Sequence, residues 1–248
     1  MMLKKYYWGV VPLCCSLFVY AGDMGSKPSN NYLIALSGGP GWTNAGSNQI
    51  IALQPDVIKA YVPQNLNSAN ALGNAEIFAG IQKSFFEHVQ SQFGLVAYWS
   101  SFAKLNGFVQ DDADPNFQNY SYQYKISHWH VGLKSKWIVE NSLNMNPYLS
   151  GSIGIGFNRS YDYNSTPLIY QVVAIPPFQS NTRTAFSYSL GAGFQHTINQ
   201  RFTVALGYQL ASWGSSSLDH AAGQTSNKGL SLGNLYTQGI EFNISYFL

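Results

Sequence analysis

The sequence predicts an all-β chain, an eight-stranded antiparallel transmembrane β-barrel with short periplasmic turns and four long external loops. Three observations carry this. The 248 residues are 46% hydrophobic and 15% aromatic but only 10% charged, against about 25% charged in an ordinary soluble domain. Residues 22–248 hold no apolar run long enough for a spanning helix, which needs about 20 residues. Instead, segments of about ten residues alternate apolar with small polar side chains, the period of a sheet that meets lipid on one face.

The first 21 residues read as an export signal. Lys4 and Lys5 form a positive start, "WGVVPLCCSLFVYA" (8–21) is the apolar stretch, and Val19 and Ala21 are the small residues that precede a cut at Gly22. A retained anchor needs a longer run, and a lipoprotein cut before Cys14 or Cys15 needs a smaller residue than "VPL" offers. The barrel is therefore expected over 22–248. Both cysteines leave with the signal, so no disulfide or thiol chemistry is expected. Removing Lys4 and Lys5 from 13 basic residues leaves 11, equal to the 11 acidic ones. That balance gives no basic footprint, so no nucleic-acid partner is expected.

The strands follow in order. "YLIALSGG" sends Tyr32, Ile34 and Leu36 outward. "NAEIFAGIQK" sends Ile77, Ala79 and Ile81 outward, with Glu76 and Gln82 inward. "QFGLVAYWS" turns out Phe93, Leu95, Ala97 and Trp99. "SHWHVGLKSKW" separates Trp129, Val131, Leu133 and Trp137 from His128, His130, Lys134 and Lys136. "YLSGSIGIGFN", "TAFSYSLGAGFQH" and "RFTVALGYQLA" alternate in the same way, and their polar faces are Ser, Gly, Asn, Thr and Gln, side chains suited to a narrow interior. The eighth is "IEFNISYFL", with Ile240, Phe242, Ile244, Tyr246 and Leu248 on its apolar row. Short connections are expected near 84–90, 139–146 and 198–200, and long ones near 44–72, 104–120, 160–182 and 214–234. In lipid no strand edge can stay unpaired, so the last strand must close against the first. Tyr32, Trp99, Trp137, Tyr246 and Phe247 sit near strand ends, where interfacial aromatic girdles form.

With a signal, eight alternating strands, four long loops and an apolar-alternating C-terminus, residues 22–248 resemble the small outer-membrane barrels of the opacity-protein and OmpA-type group. The resemblance implies residence in a bacterial outer membrane, among its lipid and lipopolysaccharide. It also implies that Ile240, Phe242, Ile244, Tyr246 and Leu248 form the signal read by the barrel-assembly machinery. That signal usually ends on an aromatic; here Leu248 is last, with Phe247 before it.

The inward ionisable residues Glu76, His128, His130, Lys134, Lys136 and Glu241 are candidates for a luminal polar network. Inside a low-dielectric lumen their charges must pair. That gives a structural plug or, alternatively, the lining of a narrow gated pore. His128 and His130 share a face, as two metal ligands would, but no third ligand is evident, and no metal or other cofactor is expected. "QDDADPNF" (110–117) has three carboxylates in a loop; without a full calcium-loop pattern it reads as a solvated turn. "IIALQPDVIKAYV" (50–62) and "LIYQVVAIPPF" (168–178) are apolar within predicted loops. They pack over the barrel mouth or mark an interaction surface. On the second reading Ile58 and Tyr61 in the first loop, and Val172, Val173, Ile175 and Phe178 in the third, contact a host or surface ligand.

The expected function is non-catalytic: a barrel that displays loops for adhesion or envelope contacts and supports envelope integrity. The alternative is a narrow porin or an OmpW-like channel for small or hydrophobic solutes. An enzyme that modifies lipid A is a further reading; His196 has no partner Ser and acid at a recognisable spacing, though a triad is defined by geometry and not by order.

Overall fold

The computed structural model describes residues 31–43, 46–64, 71–86, 88–141, 145–170, 175–225 and 229–248. The predicted signal (1–21) lies outside them, as do Val172 and Val173. Among the described residues there are eleven strands. They are β1 (Asn31–Thr43), β2 (Gln49–Gln54), β3 (Val57–Pro63), β4 (Ala71–Phe86), β5 (Val89–Ser100), β6 (Ala103–Asp111), β7 (Gln118–Val139), β8 (Asn146–Pro167), β9 (Asn181–Thr197), β10 (Phe202–Ser217) and β11 (Ser231–Phe247).

Eight of them form an antiparallel ring in the order β1, β4, β5, β7, β8, β9, β10, β11, and β11 returns to β1. The seam runs from Leu33 opposite Phe247 to Thr43 opposite Thr237, and Leu248 N–H donates to the Tyr32 carbonyl at 2.9 Å. The C-terminal strand is thus the closing stave, as the argument from unpaired edges required.

The pleat sorts the side chains as the alternation predicts. Leu36, Ile77, Leu95, Leu133, Ile153, Leu190, Leu206 and Phe242 all stand exposed on the outside. No aqueous fold keeps such a belt in water. A closed ring with this outer face is an outer-membrane β-barrel. Aromatic rows bound the belt. Trp129 stacks on Phe157 at 4.0 Å between centroids on the long-loop side, and Phe93 meets Trp137 edge-on at 5.6 Å on the short-turn side. Phe247 departs from its expected girdle position: it faces inward and packs on Leu33, Ala35, Phe78 and Val96, because it shares the parity of Ser245 and Asn243.

The predicted long loops contain strands. Crossing the bilayer takes about ten residues per strand, yet β7 and β8 each run 22 residues. Their upper halves stay paired, Tyr120 opposite Pro167 and Ile126 opposite Ser160. The sheet continues sideways from β7 through β6 and β3 to β2. The apolar loop segments are therefore staves of a cap. One apolar cluster joins the cap to the upper lumen, including Tyr61, Val109, Tyr122, Tyr124, Tyr163, Phe178 and Trp213. Burial pushes the phenols of Tyr61, Tyr122, Tyr124 and Tyr163 well above the ordinary 10. A group that holds its proton more tightly when folded weakens the fold once the unfolded form begins to ionise. The cap therefore loses stability as pH rises above about 10, by about 1.4 kcal/mol for each phenol at pH 11. The near-ultraviolet circular dichroism of the cap aromatics should fade between pH 10 and 12 while the far-ultraviolet barrel signal persists. A near-ultraviolet signal unchanged to pH 12 would contradict this account.

Candidate functional site: the closed lumen and its cap

The six predicted luminal residues all point inward, and the barrel divides them into two layers. In the lower layer Lys134 Nζ lies 2.5 Å from Glu76 Oε1 and 3.6 Å from Glu241 Oε1. Lys134 reaches both because β7 faces β4 and β11 across the lumen. Lys136 meets no carboxylate within 4 Å among the described residues. Its ammonium lies 4.2 Å from the centre of the Tyr148 ring, a cation–π contact. The charge cluster is therefore one lysine shared by two glutamates, not a network of all the charges. The cavity it borders, lined also by Gln92, Ser150 and Asn243, has a volume of about 20 Å³, room for about one water.

The upper layer is aromatic. His128 Nδ1 is 2.6 Å from Asn158 Oδ1, and His130 Nδ1 is 2.6 Å from Ser187 Oγ. Both rings lie against Trp213, with centroids 4.1 and 5.5 Å away; Tyr98 stacks on Trp213 at 4.5 Å and also meets His128 at 5.9 Å. Neither histidine faces a carboxylate among the described residues. No group of three His, Cys, Asp or Glu side chains converges there either. The His130–Ser187 pair has the atoms of a nucleophile and base, but Ser187 is fully buried inside the closed barrel.

Glycines make room for these rings. A Cβ on Gly132 or Gly154 would fall 2.8 Å from His130, and one on Gly193 or Gly207 would run into Tyr148. The space above these glycines is therefore taken by the His130 and Tyr148 rings.

Trp213 is the main residue that the periodicity missed. The alternation is legible only to Ala211. At Ser212 the pairing of β10 with β9 ends and its register with β11 shifts, and Gly214 takes φ +80°, a conformation that suits glycine. The upper part of β10 then bends inward. Asn158 Nδ2 donates to the carbonyls of Trp213 and Ser215 at 2.8 and 2.9 Å, and Ser160 Oγ is 2.8 Å from Ser216 Oγ. "SWGSSS" combines a large ring, a glycine and four small donors, which is the signal that could have marked this inward turn.

The cap corrects the predicted interaction residues. Tyr61, Ile175 and Phe178 are buried, not displayed. Tyr61 and Phe178 meet edge-on at 5.4 Å, and Phe178 packs against Tyr163 at 5.0 Å. They hold the loops on one another, since apolar side chains on a sheet above the membrane gain more by burial than by facing water. Ile175 faces only a cleft of about 290 Å³ shared with Leu53, Val57 and Tyr120. Ile58 alone of the described candidates stands exposed, on the β2–β3 hairpin. Around it the backbone links the outermost turns. Asp112 N–H donates to Ile58 O at 3.0 Å, Asp111 N–H to Phe117 O at 3.0 Å and Leu168 N–H to Asn119 O at 2.8 Å. Phe117, Leu168, Ile169 and Tyr170 are all exposed on these turns, Tyr170 at 92%. Two of the three carboxylates of 110–117 are engaged within the cap: Asp111 pairs with Lys59, and Asp114 accepts from Asn116 N–H at 2.9 Å.

No family model matches the chain, and none of the curated proteins matches it in sequence. Among solved structures it is similar to Neisserial surface protein A, with 8% identity, 87% of this chain and 96% of that chain covered, and a TM-score of 0.46. It is similar to the outer membrane protease OmpT from Escherichia coli, with 9% identity, coverage of 91% and 99%, and a TM-score of 0.47. It is also similar to Ail, the attachment invasion locus protein of Yersinia pestis, with 13% identity, coverage of 89% and 99%, and a TM-score of 0.36.

Proposed function

We propose that this outer-membrane barrel is a closed, non-catalytic anchor that presents an ordered cap to host or other surface molecules. The observation that carries the reading is the double closure of the lumen. The Glu76–Lys134–Glu241 cluster fills one layer and the Tyr98–Trp213–His128 stack the next. A barrel filled from wall to wall has its outer end left for function. There the turns offer Ile58, Phe117, Leu168, Ile169 and Tyr170, apolar side chains grouped beyond the lipid. Such groups on a rigid sheet make good binding anchors, because little order is lost when a partner covers them. The barrel enters the membrane through its C-terminal row, Ile240 to Leu248, which we assign to recognition by the assembly machinery.

The test displays the wild type and an Ile58→Glu/Tyr170→Glu variant on cells and measures adhesion to matrix proteins and host cells. The variant should bind at least tenfold less, as expected when two apolar anchors are each replaced by a charge. In planar bilayers the wild type should stay silent. Equal adhesion by both forms, or steady stepwise conductance in the wild type, would overturn the reading.

A further inference from the structure

Toward the cap the barrel wall splits. β9 and β10 pair from Thr197 opposite Thr203 up to Tyr188 opposite Ser212, and their pairing ends there. β9 continues to Asn181 against β8, while β10 bends inward onto Asn158. At the split lies a cleft of about 340 Å³, lined by Arg183 of β9, Ser215, Ser216 and Ser217 of β10, Ser231 of β11 and the start of β2.

Most polar groups of this cleft are satisfied within the protein. Ser216 Oγ pairs with Ser160 Oγ at 2.8 Å, and Ser231 Oγ donates to the Ser216 carbonyl at 3.2 Å. The Gln49 carboxamide spans the Ser231 backbone, accepting from its N–H at 2.9 Å and donating to its carbonyl. Three groups are left over. Among the described residues the Arg183 guanidinium makes no hydrogen bond or ion pair, and the hydroxyls of Ser215 and Ser217 have no partner. Asp219, just after β10, is turned to His220 Nδ1 at 2.9 Å. An exposed arginine alone would be an ordinary solvated charge. Ser217 adds a second observation: it is 5% exposed, and a hydroxyl buried without a partner is costly.

The lining selects an occupant. Arg183 is its single charge among the described residues, so it matches one negative charge and not a doubly charged phosphate. It holds no carboxylate, so the ammonium of an amino acid has no counter-ion there. Ile50 and Ile51 are its only large apolar side chains among the described residues, too short a wall for an acyl chain. A small hydroxylated acid with one carboxylate fits all three conditions. We propose that this cleft binds a sugar acid through its carboxylate. The guanidinium fork of Arg183 takes the two carboxylate oxygens, the hydroxyls of Ser215 and Ser217 donate to them, and the sugar ring lies against Ile50. This site is separate from the apolar rim proposed above, and titration with soluble sugars reads it without adhesion.

In the experiment the refolded barrel in a non-ionic detergent is titrated at neutral pH with N-acetylneuraminic acid, with its uncharged methyl ester and with N-acetylglucosamine 6-sulfate, and ligand-detected NMR gives each Kd. The variants are Arg183→Gln and Ser217→Ala, each with an unfolding midpoint matched to the wild type. The wild type should bind the acid at least tenfold tighter than the ester, a comparison that needs no variant. Arg183→Gln should weaken binding of the acid at least tenfold, and Ser217→Ala at least threefold. No binding of the acid, equal binding of acid and ester, or unchanged binding by Arg183→Gln would overturn the site. Unchanged binding by Ser217→Ala would overturn the part given to its hydroxyl, and equal or tighter binding of the sulfate would overturn the carboxylate as the group recognised.

Discussion

Lys134→Met should lower the unfolding free energy of the barrel by about 3–5 kcal/mol, the usual cost of leaving a buried charge without its partner. The lysine is shared by Glu76 at 2.5 Å and Glu241 at 3.6 Å, and both carboxylates are nearly buried. Methionine keeps most of the volume, so the loss is electrostatic and not a cavity effect. Two carboxylates would then face each other across a closed lumen. The barrel can relieve them only by drawing water into that layer, while the Trp213 layer above, left intact, should keep the variant silent in planar bilayers. Adding Glu76→Gln to Lys134→Met removes half of the stranded charge and should recover at least half of the lost stability, because the two positions act through one interaction. Urea unfolding followed by the electrophoretic mobility of the folded barrel measures all three forms. An unchanged midpoint in Lys134→Met would mean that the cluster is hydrated and weak, and the closed-lumen reading would lose its main support. Lys136→Met is the control. Its ammonium makes a cation–π contact and no ion pair within 4 Å, so its loss should cost about 1–2 kcal/mol.

The staves were legible because lipid imposes a strict rule on one face. Leu133, Ile153 and Phe242 must be apolar, and their neighbours Lys134, Ser152 and Glu241 must face inward, so a period of two fixes both at once. Ring closure followed from the same rule, since "IEFNISYFL" could not remain an edge. The inward direction of Glu76, Lys134 and Glu241 was readable for that reason. Their pairing was not: it depends on which strands face each other across the lumen, and alternation along a single strand carries no such information. Lys136 shows the limit. It has the same parity as Lys134 but sits one step nearer the inner mouth, over a tyrosine.

Above the lipid the rule relaxes: of the two readings of the apolar loop segments, packing over the barrel mouth holds, and display of Tyr61, Ile175 and Phe178 does not. Apolar residues in a connection are ambiguous between a displayed patch and a second core. Tyr61 and Phe178 belong to the core because β3 pairs with β6 and β6 with β7, which turns the first loop into sheet. The second is a hairpin, but the first, Lys59 opposite Asp111, is non-local, and no short-range signal specifies it. The exposed set that replaces them, Phe117, Leu168, Ile169 and Tyr170, lies at turns, where side chains have no facing strand to pack on. Burial in the cap and exposure at its rim thus follow from one fact: the hairpins outrun the membrane and pair with one another.

Trp213 joins the two regions, and Trp213→Ala should cost about 3–5 kcal/mol, the range for truncating a large buried aromatic. The side chain is 1% exposed. Its ring packs on Tyr98 and on both histidines, and Nε1 donates to Thr237 Oγ1 at 2.7 Å. Truncation leaves a cavity between the charge layer and the cap, with His128 and His130 on its wall. Two consequences should separate. The cap, whose apolar cluster runs down to this ring, should be cut by protease at least tenfold faster, while the lipid-facing staves stay protected. The barrel should remain silent in bilayers, because the Lys134 layer below is intact; only the Trp213→Ala/Lys134→Met double variant, with both layers opened, should conduct. Trp213→Phe restores the stacking and gives up only the bond to Thr237, so it should lose about 1 kcal/mol. If Trp213→Ala left cap cleavage unchanged, the cap would be held by its own sheet alone, and the stack would be packing without a linking role. If Trp213→Ala conducted by itself, closure would rest on the aromatic layer alone, and the double closure would be wrong.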